Sequence, residues 1–175
     1  MPSMGVQRAQ AQNQAADLPD GFGVAVVRED GKWRCSALRS SALTSLTDAE
    51  TELRELRCAG AVFGLLDVDD EFFVIVRPAP GGARLFLSDA TAAVDYDIAR
   101  QVLEKLDSET DPDDLEDEDV FEEGDLGVLS DICLSEGVLS IIISDDDYAD
   151  EQLSRIAQEM GFGDEMSAFL DKLDR

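Results

Sequence analysis

The segment EFFVIVR (71–77) is the strongest constraint on how this chain folds. In a strand, Phe72, Val74 and Val76 lie on one side, and Phe73 and Ile75 on the other. Neither side suits water. Such a strand belongs in the middle of a sheet that is covered on both faces. The preceding AVFGLLD (61–67) is also apolar on both sides, and only Val68-Asp69-Asp70 separates the two. A connection that short joins antiparallel neighbours.

The flanking segments complete a sheet. FGVAVVR (22–28), the turn EDG (29–31) and KWRCSAL (32–38) read as a hairpin, with Gly31 supplying the turn. On its second strand Trp33, Cys35 and Ala37 share one face, while Lys32, Arg34 and Ser36 point the other way; Trp33, Cys35 and Phe73 are predicted to pack, and Lys32 and Arg34 to be exposed. Thr47 and Glu50 have capping-box spacing for a helix that carries Ala49, Leu53 and Leu56 on one face, with Gly60 as its stop. Pro78, Pro80 and Gly81-Gly82 break the chain before ARLFLSD (83–89), a fifth strand. Residues 97–106 form a helix with Ile98, Val102 and Leu106 on the buried side. The order ββαβββα predicts an α+β fold: a mainly antiparallel five-stranded sheet, with one of the two helices on each face. This order resembles longin and profilin-like sandwiches, which mostly serve as binding modules. The likeness is one of fold order alone.

Charge divides the rest. Residues 1–106 hold eleven basic and sixteen acidic side chains, whereas 107–175 hold three and twenty-four. The step falls at DSETDPDDLEDEDVFEEGD (107–125), where twelve of nineteen residues are acidic and none is basic. The sequence therefore predicts a loose tail (1–18), an α+β sandwich domain (19–107), an acidic linker (108–124) and a helical C-terminal region (125–175). The linker is expected to be mobile, with Leu115, Val120 and Phe121 as its only apolar anchors. In the last region, Leu126, Leu129 and Ile132 or Cys133 have helical spacing. GVLSIIIS (137–144) fits strand or helix. Leu153, Ile156 and Met160 form a helical stripe that ends at Gly161, and Met166, Phe169, Leu170 and Leu173 form another. These stripes should pack, on themselves or on the first domain.

Much chemistry is excluded. There is no histidine, which removes the commonest general base, the commonest metal ligand and every Ser-His or Cys-His nucleophile pair. No phosphate loop, nucleophile elbow or dinucleotide fingerprint occurs. Asp67, Asp69 and Glu71 alternate as calcium ligands do, but no glycine follows at the required position, so the segment reads as a hairpin turn. Cys58 at a helix end has no base, and the helix dipole disfavours its thiolate. No cofactor and no metal are expected. The odd, widely spaced Cys35, Cys58 and Cys133 are not a disulfide framework. MPSMGVQRAQAQNQAAD lacks a signal-like apolar core, and AGAVFGLL and FFVIV are too short to span a bilayer. The expectation is a cytoplasmic protein without membrane contact.

GFGVAVVREDGKWRC (21–35), GAVFGLLDVDDEFFVIVRPAPGGARLFLSDATAAVDYDIA (60–99) and LSRIAQEMGF (153–162) resemble the actinobacterial family of tRNA adenosine deaminase-associated proteins. The family's name refers to the zinc enzyme that converts a wobble adenosine of certain tRNAs to inosine. The resemblance carries no catalytic residues over to this chain, and it implies that 137–144 is helical. The chain is not itself the deaminase: that chemistry needs a His or Cys zinc triad in H-x-E and P-C-x-x-C, and here there is no histidine and no C-x-x-C.

The sequence and the resemblance together predict a non-catalytic accessory protein that binds the deaminase and modulates or stabilises it. A net charge of −26 repels nucleic acid and would steer the protein to the basic surface of a tRNA-modifying enzyme. Asp113, Asp114, Glu116, Asp117, Glu118 and Asp119 are the partner-binding candidates, lying where phosphates would lie. The alternatives are an independent acidic adaptor or self-associating structural module, a homodimer included, and an unrecognised hydrolase.

Overall fold

The computed structural model describes residues 20–56, 60–115, 118–145 and 147–173. The expected tail at 1–18, Cys58, Glu116 and Asp117 lie outside the described residues.

The apolar strands sit where their two-sided pattern requires. Strands β1 (Gly21–Glu29), β2 (Lys32–Ala37), β3 (Ala61–Val68), β4 (Phe72–Ala79), β5 (Gly82–Leu87) and β6 (Glu123–Gly124) form one antiparallel sheet, ordered β2-β1-β3-β4-β5-β6. β3 and β4 are interior, in the register Leu65↔Ile75 and Val68↔Phe72. Asp69 and Asp70 turn the chain between them with positive φ at both positions, and Glu71 N–H donates to Val68 O at 3.0 Å. This is the type I′ geometry that matches strand twist.

The sheet has six strands where the sequence predicts five. β6 spans two residues inside the acidic run, too few to show a period of two. Gly124 admits it: its φ is +111°, and a Cβ there would lie 2.5 Å from Leu85 O.

The helices also correct the expectation of one per face. α1 (Leu46–Glu55) and α2 (Asp97–Lys105) share a face. There Leu46, Leu53, Ile98 and Val102 pack on Phe72, Val74, Val76 and Leu87. α3 (Glu136–Ser144), α4 (Ala149–Met160) and α5 (Gly163–Leu173) cover the other. There Leu139, Leu153, Ile156 and Phe169 pack with Val26, Phe63, Phe73 and Ile75. The reason is topological. β2 and β3 both pair antiparallel with β1, so they run parallel and their connection must cross one face of β1. α1 makes that crossing, and the C-terminal stripes fill the face left open.

Local details differ for local reasons. α1 starts two residues before the predicted cap: Ser45 Oγ accepts the Asp48 N–H at 3.2 Å, and Leu46 is already buried. Ser45/Asp48 and Thr47/Glu50 have the same spacing, and burial of Leu46 chooses between them. Leu56, predicted on the buried side, lies just past the helix and is 42% exposed. Residues 126–133 make turns and a short 3-10 stretch (Ser130–Ile132) in place of a helix, and Cys133 ends that stretch with φ +85°. The ambiguous 137–144 segment is helical, capped by Ser135 Oγ, which accepts Val138 N–H at 3.2 Å.

Two sheet arginines hold the acidic second half against the first. Arg77 donates to Val128 O at 3.0 Å and pairs with Asp131, whose carboxyl it holds below the usual range. Arg84 donates to Asp125 Oδ2 and Gly127 O, both at 2.8 Å.

Candidate functional site

The acidic run supplies the predicted partner-binding residues. Asp113 and Asp114 lie in a 3-10 turn (Pro112–Asp114), where Asp111 Oδ1 accepts Asp113 N–H at 3.0 Å. Both are exposed, as are Glu118 and Asp119. None of these four forms an ion pair with a described residue. Of the three apolar anchors, Leu115 is buried at 4% and Phe121 is half-buried, both against the α1/α2 face. Phe121 O also accepts Ala90 N–H at 2.7 Å. Val120 anchors nothing and is 71% exposed.

The fold gathers a second set of carboxylates that the sequence does not announce. At the β3–β4 turn, Asp20, Asp67, Asp69, Asp70 and Asp150 line a cleft of about 610 Å³. They come from the entry to β1, the end of β3, the turn and the first turn of α4. Among the described residues no lysine or arginine lines it. Asp69 Oδ1 accepts Asp20 N–H and its Oδ2 accepts the Tyr96 hydroxyl, both at 2.5 Å. The same hydroxyl lies 3.0 Å from Glu71 Oε2, so the two carboxylates compete for its one proton; burial and these two carboxylates push its pKa up. Asp67 is 2% exposed, and its Oδ1 accepts Asp70 N–H at 2.8 Å. Burial raises its pKa to about 7, with Asp70 and Asp150 adding repulsion. Asp150 is raised in the same direction, by burial first and then by Asp70. The sequence shows Asp67, Asp69 and Glu71 as neighbours; it gives no signal that Asp20 and Asp150 join them.

A groove of similar size, about 610 Å³, lies on the other side of the turn. Glu71, Asp89, Glu122, Asp145 and Asp147 line it together with the exposed Val120. Arg155 pairs with Asp145 and Asp147 and partly offsets their charge. Run, cleft and groove together give the protein an acidic surface much larger than the run alone.

Cys35 shows no activation. Burial, followed by Glu165, pushes the Cys35 thiol up to about 11, so it packs as a small apolar group. Among the described residues no helix is long and apolar enough to cross a membrane.

Comparison with known proteins identifies the chain. It belongs to the Rv3753c-like tRNA adenosine deaminase-associated protein family, whose profile matches residues 21–163. A curated relative, Protein Rv3753c of Mycobacterium tuberculosis (strain ATCC 25618 / H37Rv), is 72% identical over 173 residues, covering 98% of this chain and all of the relative. No solved structure matches the chain.

Proposed function

We propose that this protein is a non-catalytic accessory subunit that binds a tRNA adenosine deaminase in the cytoplasm and modulates or stabilises it. The family description supports the partner. The observation that carries the mode of binding is the row of exposed carboxylates at Asp113, Asp114, Glu118 and Asp119, which form no ion pair among the described residues, in a chain of net charge −26. An enzyme that handles tRNA presents a basic surface, and an acidic protein approaches it along the path that phosphates take. The contribution is long-range steering, and it acts mainly on the association rate. Nucleic acid is repelled by the same charge. The absence of histidine supports a role without catalysis of its own.

The test is a binding measurement with the deaminase across a salt series. The comparison is wild type against a variant with Asp113, Asp114, Asp117 and Asp119 changed to Asn and Glu116 and Glu118 changed to Gln. Wild type should associate faster at low salt, with the difference fading as the screening length falls to about 8 Å at physiological ionic strength. Equal rates at low salt would reduce the run to a solvated connection.

A second reading, a self-associating acidic module, is favoured by β2. Among the described residues it is an outer strand of the sheet with one neighbour, and an unpaired edge can template a second copy. Affinity capture that recovers the protein itself and no deaminase would select this reading.

A further inference from the structure

Gln152 lines the groove that runs between the acidic run and α3, yet it is only 8% exposed. Its amide nitrogen donates to Ile142 O at 3.4 Å and to Asp145 O at 3.1 Å, satisfying carbonyls at the end of α3. Carbonyls only accept, so the nitrogen must face them and Oε1 must turn away. Among the described residues nothing donates to Oε1. An acceptor on so buried a side chain calls for a donor.

The same place exposes apolar surface. Val120 of the run and Ile143 of α3 both line the groove. Ile141 is 60% exposed and stands three positions before the lining Ser144, which makes the two neighbours on the helix surface. Tyr148, 69% exposed, directly follows the lining Asp147. Exposed apolar residues scattered singly are ordinary, but three of the five large ones among the described residues gather here. Ile141 in particular gains no packing on the outside of a helix, and its branched β-carbon lowers helix propensity.

We propose that this groove docks a basic amphipathic helix of a partner protein, its apolar face on Val120, Ile141 and Ile143, and one lysine or arginine reaching Gln152 Oε1. The inference deepens the accessory reading and rests on it for the partner's identity alone.

Charge and shape select this occupant. Glu71, Asp89, Glu122, Asp145 and Asp147 surround the apolar positions, and among the described residues no lysine or arginine lines the groove. Arg155 offsets only the last two of these carboxylates. An apolar centre inside a charged rim is the anatomy of a protein interface. A helix meets it by placing apolar side chains at i, i+3 and i+4 with basic ones beside them. An isolated ammonium would leave Val120 and Ile141 in water, and a purely apolar helix would leave Gln152 Oε1 without a donor. A second copy would bring the same acidic rim to this groove and be repelled. Run and groove then divide the work: charge on the run sets the rate of approach, and apolar contacts in the groove set the lifetime of the complex.

The test is calorimetric and NMR titration of the full chain at physiological ionic strength. The probes are a helical peptide of leucine and lysine with its leucines on one face, a scrambled peptide of the same composition, and polylysine. The proteins are wild type, the double variant Val120→Ser/Ile141→Ser, and Leu56→Ser, which removes an exposed apolar residue beyond the end of α1. All three substituted positions are exposed, so the core stays intact. The amphipathic peptide should saturate wild type and Leu56→Ser alike, and bind the double variant at least about fivefold more weakly. It should also move the side-chain amide resonance of Gln152. The scrambled peptide and polylysine should bind less tightly than the amphipathic one. In complex with the deaminase, the double variant should dissociate at least about fivefold faster with its association rate unchanged. The expected peptide pattern without any deaminase binding upholds the groove and removes the deaminase as its partner. Five results would overturn the groove: no saturation by the amphipathic peptide, equal binding of the scrambled one, unchanged affinity in the double variant, an unmoved Gln152 resonance, or self-association of wild type that the double variant abolishes.

Discussion

Oδ1 of Asp70 accepts the backbone N–H of Asp150 at 2.8 Å, across eighty positions of sequence. The Asp70 carbonyl also accepts Ala149 N–H at 3.3 Å. A residue of the β3–β4 turn thus does for α4 what a local N-cap normally does, satisfying two donors of its first turn. The turn and the helix that covers the sheet are held in one geometry, which also shapes the acidic cleft.

Replacing Asp70 separates its two duties. Asp70→Ala removes the acceptor and places a Cβ residue other than Asp, Asn or Gly at φ +59°. It should cost about 1–3 kcal/mol in urea unfolding. Asp70→Asn keeps the acceptor, tolerates the left-handed backbone and removes one charge from the cleft. Its midpoint should equal or exceed that of wild type. A midpoint as low as that of the alanine variant would show that the charge, and not the cap, matters.

Stability should fall as pH rises through neutrality. An unfolded chain releases the Asp67 proton near about pH 4, and the folded chain only near about 7. Between these values the native state binds the extra proton. The contribution is fully present below the lower value and lost as pH rises through the upper one. Asp150, also raised, acts in the same sense. Asp131, lowered by Arg77, acts in the opposite sense at acid pH. Asp67→Asn should flatten the profile, gaining about 1–2 kcal/mol above neutrality. Unfolding curves at several pH values measure this, and a wild-type profile parallel to that of the variant would refute it.

The acidic run should be quieter at Phe121 than its charge suggests. Ala90 N–H donates to Phe121 O, so its amide should exchange slowly with deuterium. Leu115→Ala should cost about 2–3 kcal/mol, because Leu115 is 4% exposed. It should also speed exchange at Ala90. Rapid exchange of that amide in wild type would mean that the run is not held there.

Gly124 should tolerate no side chain. Gly124→Ala should release β6 from β5 at a cost of about 1–3 kcal/mol, and leave the amides of β3 and β4 protected. Loss of protection throughout the sheet would show that β6 is not a dispensable edge.

Trp33 reports the β2 face directly, since it is the chain's one tryptophan. Its ring is 4.9 Å from that of Phe162, and the Arg28 guanidinium lies 5.2 Å from its centre. Emission should be blue-shifted from that of free tryptophan and resist iodide. Phe162→Ala should shift it to the red and destabilise by about 3 kcal/mol. A water-like maximum in wild type would mean that the face is solvent-exposed.

How much of this was readable beforehand depends on how far each signal reaches along the chain. EFFVIVR and AVFGLLD fixed two interior antiparallel strands, because a strand apolar on both sides has one place to go. The hairpin at Asp30-Gly31 and the stripe of Leu153, Ile156 and Met160 were local for the same reason: period and turn chemistry involve neighbours only. The residues also located the charge step and excluded histidine chemistry. They could not say which face each helix covers, since both faces of β4 are equally apolar and neither carries a label for its partner. Placing α1 and α2 on one side and α3 to α5 on the other was decided by the crossover past β1 and the space it left. Two-residue β6 carried no period at all. The acidic cleft lay furthest from view. Asp20, Asp67, Asp70 and Asp150 read as a terminus, a strand end, a turn and a helix start; only the packing of α4 against the β3–β4 turn made them one site, with one of its carboxylates out of water.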